Sequence, residues 1–171
     1  MSERDRFFGK YRGVVLNNID PMQSARIQVQ VPDVLGPTLS SWAMPCVPFA
    51  GQQSGVFVLP KIGAGVWVEF ERGDADYPVW VGGFWGSAAE VPALALAGLP
   101  VSPSIVLQTG NQTSLMLSDL PGPTGGILLK TATGAMISIN EVGITISNGQ
   151  GATIMLTGPS VNINQGALTV I

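Results

Sequence analysis

Residue types that build catalytic and metal sites are scarce in this 171-residue sequence. It contains no histidine and a single cysteine, Cys46. Histidine is the most common general base and metal ligand, so Ser-His-Asp catalysis, Cys-His catalysis and Cys/His zinc sites are excluded within these residues. A lone cysteine cannot form an intrachain disulfide, and we interpret Cys46 as a small, buried apolar residue. We therefore expect no catalytic residue, no metal site and no cofactor.

Charge is also scarce. Charged residues make up 11% of the chain and hydrophobic residues 46%, with a net charge of −3; globular proteins usually carry about 25% charged residues. An acidic chain does not favour nucleic acid, which selects basic patches. The longest apolar run, residues 91–101, is interrupted by Pro92 and Pro100 and is shorter than the roughly 20 residues of a membrane-spanning helix. The apolar excess therefore indicates an oligomer.

The first ten residues are charged and lack the apolar stretch of a signal peptide. We therefore expect synthesis in the cytoplasm and treat residues 1–10 as an N-terminal extension. Residues 11–86 alternate between short apolar stretches and Gly/Pro/Asn/Asp turns, which predicts a small all-β barrel or sandwich. The predicted strands cover residues 11–16, 26–31, 42–48, 56–59, 66–71 and 79–84.

Residues 87–104 form a Pro/Ala-rich connector. Proline favours an extended backbone, whereas Leu94, Leu96 and Leu99 are too apolar for a free tether. We expect the connector to be extended and packed against neighbouring structure.

Residues 105–171 repeat a pattern of two apolar residues separated by one position. The pairs are Ile105/Leu107, Leu115/Leu117, Ile127/Leu129, Ile137/Ile139, Ile144/Ile146, Ile154/Leu156, Val161/Ile163 and Leu168/Val170. The last four steps between pairs are seven, ten, seven and seven residues, which is typical of very short strands in a β-helix.

Such a repeat cannot bury its own apolar side chains unless it stacks on something. Three chains wound about one axis would enclose them, and Ser138, Thr145, Ser147, Thr153, Asn162 and Thr169 would face outward. A solenoid built from one chain is the alternative, although it usually needs about 20 or more residues per turn. We favour the trimer and predict these core residues: Ile137, Ile139, Ile144, Ile146, Ile154, Leu156, Val161 and Ile163.

The first region contains a series of motifs that together are fairly specific. They are Gly13-Val14-Val15, Asp20-Pro21, residues 26–31 followed by Pro32, Trp42, Pro45-Cys46, Pro48-Phe49-Ala50-Gly51, the Leu-Pro-x-Ile-Gly turn of residues 59–63, residues 66–70, Gly73-Asp74 and residues 77–83. Through them, residues 10–86 resemble the OB-fold domain of spike proteins from contractile phage tails and of the valine-glycine repeat proteins of type VI secretion. Residues 105–171 resemble the same proteins in architecture.

The resemblance implies an all-β chain in which an N-terminal OB-fold barrel is followed by an intertwined trimeric β-helix needle. It implies a structural spike that joins a baseplate hub to the tip, pierces a target envelope mechanically and is incorporated into a virion or injection particle. The connector stands where a well-known phage member carries a lysozyme domain, so the chain is similar to the short spikes of simpler phages. Some of those bind iron through histidines near the tip, and that site cannot be transferred here.

The resemblance also implies a small conical tip protein of the proline-alanine-alanine-arginine repeat type. Leu168, Val170 and Ile171 form the last predicted strand, and no polar cap follows them. Exposed apolar patches of this kind mark partner sites, so we predict tip-protein binding there. A terminus that folds inward and closes the end itself is the alternative.

Other functions have weaker support. Trp42, Trp67, Trp80 and Trp85 could stack on single-stranded nucleic acid, but they lie in apolar strands of an acidic chain. Glu69 and Glu71, on one face of a predicted strand, and the nearby Asp74 and Asp76 could form a glycosidase pair, but such acids more often form a solvated rim. A trimeric receptor-binding fibre or adhesin would share the β-needle, yet the sequence shows no binding head.

Overall fold

A computed structural model of the protein describes residues 5–98, 102 and 104–170, of which Thr169 and Val170 are described by their backbone alone. The chain divides into two compact units, Met1–Ala88 and Ala89–Ile171, named here the barrel unit and the sheet unit. Both are built mainly of strands, so the predicted all-β fold class is confirmed. No helix in the described part of the chain is long and apolar enough to cross a membrane.

The described residues of the barrel unit form seven strands and one turn of α-helix, besides a 3-10 turn at Glu71–Gly73. They are β1 (Tyr11–Asn17), β2 (Gln28–Gln30), α1 (Pro32–Leu35), β3 (Met44–Pro45), β4 (Ala50–Gly51), β5 (Ser54–Gly55), β6 (Gly65–Phe70) and β7 (Pro78–Phe84). Five strands form one sheet in the order β2-β1-β6-β7-β3. An antiparallel bridge between Ile27 and Ala43 joins the two edges of this sheet, which closes it into a barrel.

Strand alternation builds the barrel core. Inward positions of β1, β2 and β6 carry β-branched residues that suit a pleated, half-buried surface. Val15, Val29, Val66 and Val68 are fully buried, and Trp80 of β7 closes the cluster. The Trp80 indole nitrogen donates to the Ala25 carbonyl over 3.1 Å, so the one polar atom of this ring is satisfied inside the core.

The N-terminal extension is part of the barrel unit over its described residues. The backbone N–H of Phe7 donates to the Gly73 carbonyl over 2.8 Å. The Phe7 ring lies 6.2 Å from Phe70 and 6.4 Å from Tyr11. These contacts add an aromatic cluster at the end of β6.

Several sequence predictions for the barrel unit need correction. Residues 56–59 form no strand, and the hairpin of β4 with β5 precedes them. Both faces of segment 56–59 would be equally apolar in a strand, so no half-buried register is favoured. The predicted strand 42–48 shrinks to β3 because Pro45 and Pro48 cannot donate to a sheet. Cys46 is exposed, because it occupies an outward-facing position at the end of the strand. Its backbone N–H donates to the Trp80 carbonyl.

The sheet unit contains eight strands in one sheet. They are β8 (Ile105–Gln108), β9 (Ser114–Ser118), β10 (Gly126–Lys130), β11 (Met136–Asn140), β12 (Gly143–Ser147), β13 (Thr153–Thr157), β14 (Ser160–Ile163) and β15 (Leu168–Val170). Their spatial order equals their chain order, and every neighbouring pair is antiparallel. A one-chain solenoid pairs successive turns in parallel, so the described strands form a meander and not a solenoid.

The connector is only partly extended. Ala88–Glu90 forms a 3-10 turn, and Ala93–Leu96 forms one turn of helix, α2. The expectation of a fully extended segment was wrong at α2, because alanine and leucine are strong helix formers and Pro92 precedes the helix, where it costs no hydrogen bond. Leu99, Pro100, Val101 and Pro103 lie outside the described residues.

Candidate functional site

One face of the eight-stranded sheet is continuously apolar. The predicted pairs lie on it, Val170 being assigned by its backbone register alone, and cross-strand pairing arranges the positions in two columns. We call these sixteen positions the apolar face. The first column is Ile105, Leu117, Ile127, Ile139, Ile144, Leu156, Val161 and Val170, and the second is Leu107, Leu115, Leu129, Ile137, Ile146, Ile154, Ile163 and Leu168.

The apolar face is open in a single chain. Ile105 and Leu107 are each 65% exposed, and side chains further along the sheet, such as Ile137 and Ile146, remain about 40% exposed. A patch formed by so many contiguous apolar side chains is far beyond what a monomeric protein normally leaves in water. The face is therefore an interaction surface.

The opposite face is polar over its later strands. Ser138 pairs with Thr145, and Asn162 pairs with Met155 and Thr169. These positions contain the predicted outward residues, and Met155 is an apolar exception among them. Over the earlier strands this face carries Met116, Leu128 and Met136, which line a groove of about 350 Å³ with Leu94 and Ala97 of the connector. The connector thus packs on the early part of the opposite face.

Asparagine side chains fix the turns of the meander. The Asn140 carboxamide oxygen accepts from the backbone N–H groups of Val142 and Gly143, and that of Asn148 accepts from Gln150 and Ala152. Such turns hold the strand register without help from another chain.

Glycine is required where β12 begins. Gly143 has a φ of +153°, and a Cβ there would lie 2.0 Å from the Leu156 carbonyl oxygen. Only glycine allows both this backbone conformation and this close approach of two strands. Gly143 therefore allows β12 and β13 to approach each other closely where β12 begins.

The structure places the predicted residues as follows. All eight predicted core residues lie on the apolar face, and their position inside a trimer stays a prediction. Of the predicted tip residues, Leu168 is 55% exposed on the edge strand β15. The backbone of Val170 pairs with Val161, whereas the side chain of Val170 and all of Ile171 lie outside the described residues.

In the barrel unit, Asp20 organises the turn between β1 and β2. Its carboxylate accepts from the backbone N–H groups of Met22, Ser24 and Arg26, and an oxygen lies 2.6 Å from a guanidinium nitrogen of Arg26. The bidentate Arg26 contact, followed by these backbone bonds, lowers the pKa of Asp20 well below the usual carboxyl range. The same contact raises the pKa of Arg26, whose guanidinium lies over the Trp42 ring. This cluster of hydrogen bonds stabilises the turn between β1 and β2.

The carboxylates of the enzyme hypothesis have separate structural roles. Glu69 forms an ion pair with Lys10, and Asp74 accepts from the backbone N–H of Asp76. Glu71 is not on the strand, since β6 ends at Phe70 and Glu71 begins the 3-10 turn Glu71–Gly73. Within the described residues, no cluster of three or more Cys, Asp or Glu side chains is arranged to hold a metal ion.

The four tryptophans do not form one stacking platform. Trp80 is buried in the core, and Trp42 lies beside Arg26. Trp67 contacts Phe84 with ring centroids 5.0 Å apart, and the Arg12 guanidinium lies over both rings. Trp85 is exposed. The arrangement gives no row of stacked aromatic rings for successive bases.

Sequence reasoning missed one surface of the barrel unit. Residues 56–59 were expected in a strand, yet all four side chains are exposed, together with Phe49 and Ile62. The available signal was charge: residues 34–60 contain no Asp, Glu, Lys or Arg. A charge-free run of this length in the charged half of the chain indicates a covered surface.

A barrel that encloses its own apolar core, followed by a sheet whose apolar face stays open in one chain, is typical of β-structured proteins that assemble from several copies. Comparison with family models agrees with this class. Residues 11–85 match the type VI secretion system/phage-baseplate injector OB domain, and residues 104–169 match the phage baseplate V C-terminal trimerisation domain. A search of curated proteins found no match.

The two models together match most of the chain, which therefore belongs to the baseplate spike family of phages and type VI secretion systems. Domains of these families are generally structural and non-enzymatic. The match of the sheet unit to a trimerisation domain supports a homotrimer.

Proposed function

We propose that the chain is the central spike of a contractile injection machine, joining a baseplate hub to the tip and piercing the target envelope mechanically. Membership of this family supports a role in the baseplate of a phage or an injection system. The piercing role and the two attachments are our proposal, and they follow from what the apolar face can do when three copies meet.

The apolar face is the observation that carries the proposal. Eight strands spaced by 4.7–4.9 Å give a sheet about 34 Å long along its strand-stacking direction. Three such sheets with their apolar faces turned inward would enclose forty-eight aliphatic side chains in one continuous core. Burial stabilises by about 25 cal/mol per Å² of apolar surface, so assembly removes the principal instability of the single sheet.

The remaining surface suits a rigid needle. The later part of the opposite face is mostly Ser, Thr and Asn, and after Glu90 the chain carries only Asp119, Lys130 and Glu141 as charged residues. Three meanders packed face to face leave each strand hydrogen-bonded on both sides except at the two ends of the stack. Sheath contraction would concentrate force on this narrow structure, and no covalent chemistry is needed.

The β15 end of the stack is suited to binding a partner. Strand β15 is an edge strand with an exposed Leu168, and unpaired strand edges invite pairing with another chain. We assign this end to a small conical tip protein of the proline-alanine-alanine-arginine repeat type and the barrel unit to the hub.

Light scattering on the purified chain tests the assembly. We expect three times 17.8 kDa, and a monomer at micromolar concentration would contradict the proposal. Deleting residues 168–171 should then remove the tip protein from purified particles while leaving the trimer intact. Unchanged tip occupancy in the deleted particles would contradict the tip assignment. Binding of the free trimer to intact target cells would instead favour a receptor-binding fibre.

A further inference from the structure

The segment 56–59 of the barrel unit carries an unpartnered apolar surface. Phe57 is 70% exposed and Val58 is 59% exposed, with Val56 and Leu59 exposed beside them. Phe49, whose carbonyl accepts from the backbone N–H of Val56, and Ile62, three residues after the segment, are exposed as well. Large apolar side chains exposed in such a contiguous group mark an interaction site.

The segment is held in place by the barrel on both sides. Before it, the backbone N–H of Val56 donates to the Phe49 carbonyl over 3.2 Å. After it, the Asn18 side-chain nitrogen donates to the Pro60 carbonyl over 2.9 Å, and the Gly63 N–H donates to Val15. A surface fixed in this way loses little conformational entropy on binding.

The backbone between these anchors is unsatisfied. Within the described residues, the N–H and C=O groups of Phe57, Val58 and Leu59 make no hydrogen bond. An extended apolar segment with free backbone groups is suited to contact with another polypeptide. Burial without such pairing would leave costly unsatisfied groups.

We propose that segment 56–59 packs against the barrel unit of a second copy of this chain. This inference rests on the proposed threefold assembly. Trimerisation through the sheet units keeps three barrel units on short connectors at an effective concentration in the millimolar range for short linkers, so a modest apolar contact is enough. Residues 34–60 carry no charged side chain. Two identical copies can therefore meet at this surface without the like-charge repulsion that would oppose their association.

Cysteine labelling tests the proposal on the full-length chain. Phe57→Cys is made in a Cys46→Ser background, because Cys46 is exposed and would react. The matched control is Tyr77→Cys in the same background, since Tyr77 is 61% exposed in a single chain and lies outside the charge-free run. We expect the cysteine at position 57 to react with a maleimide at least tenfold more slowly than the one at position 77.

Hydrogen exchange on the unmodified protein gives an independent readout. The amides of Phe57, Val58 and Leu59 have no partner in one chain and should exchange at nearly the rate of a free peptide there. In the trimer we expect at least tenfold slower exchange. Equal labelling of the two cysteines, together with free-peptide exchange in a particle that scatters as a trimer, overturns the inference while leaving the proposed function intact.

The remaining outcomes are equally decisive. A chain that scatters as a monomer overturns the proposed function and this inference together. Protection of segment 56–59 that appears only after a hub protein is added assigns the surface to a foreign partner and overturns the inference alone.

Discussion

In the barrel unit, Val15, Ile27 and Val68 are fully buried within one chain. In the sheet unit, among the described residues, Met116 is the only buried apolar side chain and is still 8% exposed, and the aliphatic residues of the apolar face remain open to water. Both units are mainly antiparallel β-structures with similar strand chemistry, the pair of β3 with β7 being parallel. The two units differ in closure. A sheet that closes on itself buries its apolar side chains within one chain, whereas an open meander can bury them only against other copies.

This difference predicts that stability resides in different places. The barrel unit should keep an unfolding transition of its own when the trimer is lost, whereas the sheet unit should fold only when it is assembled. Four substitutions test the contrast, in order of decreasing expected effect.

The largest effect is expected from Ile146→Asp on the apolar face. Three carboxylates would be forced into a dry core, and each buried unpaired charge costs several kcal/mol even after relaxation. We expect loss of the trimer by light scattering and retention of the barrel transition in calorimetry. Thr145→Asp, one residue away on the opposite face, is the control and should remain trimeric. Equal tolerance of both substitutions would show that the apolar face does not line the core.

Trp80→Ala should have the converse effect. It removes the largest core side chain of the barrel and leaves the Ala25 carbonyl without its donor, and such truncations cost about 3–5 kcal/mol. Calorimetry should show a lower barrel transition, and light scattering should still show a trimer. Loss of the trimer at a temperature where the barrel remains folded would contradict the separation of the two units.

Gly143→Ala tests the margin of the sheet. The added Cβ would meet the Leu156 carbonyl oxygen. Displacing the strand to relieve this contact costs about 1–3 kcal/mol, in addition to the backbone strain of about 1–2 kcal/mol for a residue other than glycine at positive φ. Gly158→Ala is the control, because Gly158 has a φ of +56° and nothing near its Cβ position. Urea unfolding of the trimer should show a clearly larger loss for Gly143→Ala. Similar losses of stability for the two variants would show that the close approach of β12 and β13 is not what requires glycine at position 143.

The smallest effect concerns acid. Because the pKa of Asp20 is lowered in the folded barrel, its contribution to stability is present above the unfolded value of about 3.9. That contribution is lost as the pH falls from there toward the depressed folded value. Asp20→Asn should therefore destabilise the barrel transition at pH 7 and reduce the further loss between pH 4 and pH 2. An acid response identical to that of the natural chain would show that Asp20 does not contribute. The transition of the sheet unit should not respond to this substitution.

The sheet was the more predictable of the two units. In a strand, residues i and i+2 share a face, so the spacing within Ile137/Ile139 and Ile144/Ile146 is sufficient to place all four on one side. Asn140 and Gly143 between them mark the turn. The strand pairing was not predicted: the apolar spacing indicated a β-helix, and it does not show that each strand pairs antiparallel with the next one in the chain.

The barrel was less predictable in its irregular parts. Residues 56–59 have strand-like composition, but whether they join a sheet depends on partners that are distant in sequence or belong to another copy. The burial of Cys46 was also predicted wrongly, because Cys46 lies three positions after the buried Ala43 and therefore on the opposite face of the strand. The helical turn α2 was missed because prolines nearby outweighed the local Ala-Leu preference.

Nearest-neighbour pairing in the meander has a consequence for how the length of such proteins can change. Each hairpin contributes roughly 10 Å, twice the spacing between strands, and returns the chain to the side from which it left. Removal or insertion of two consecutive strands therefore leaves the register and direction of all the others unchanged, whereas a single strand would reverse everything after it. We therefore expect the length of such a sheet to change in whole hairpins, each of which corresponds to roughly fifteen to twenty residues.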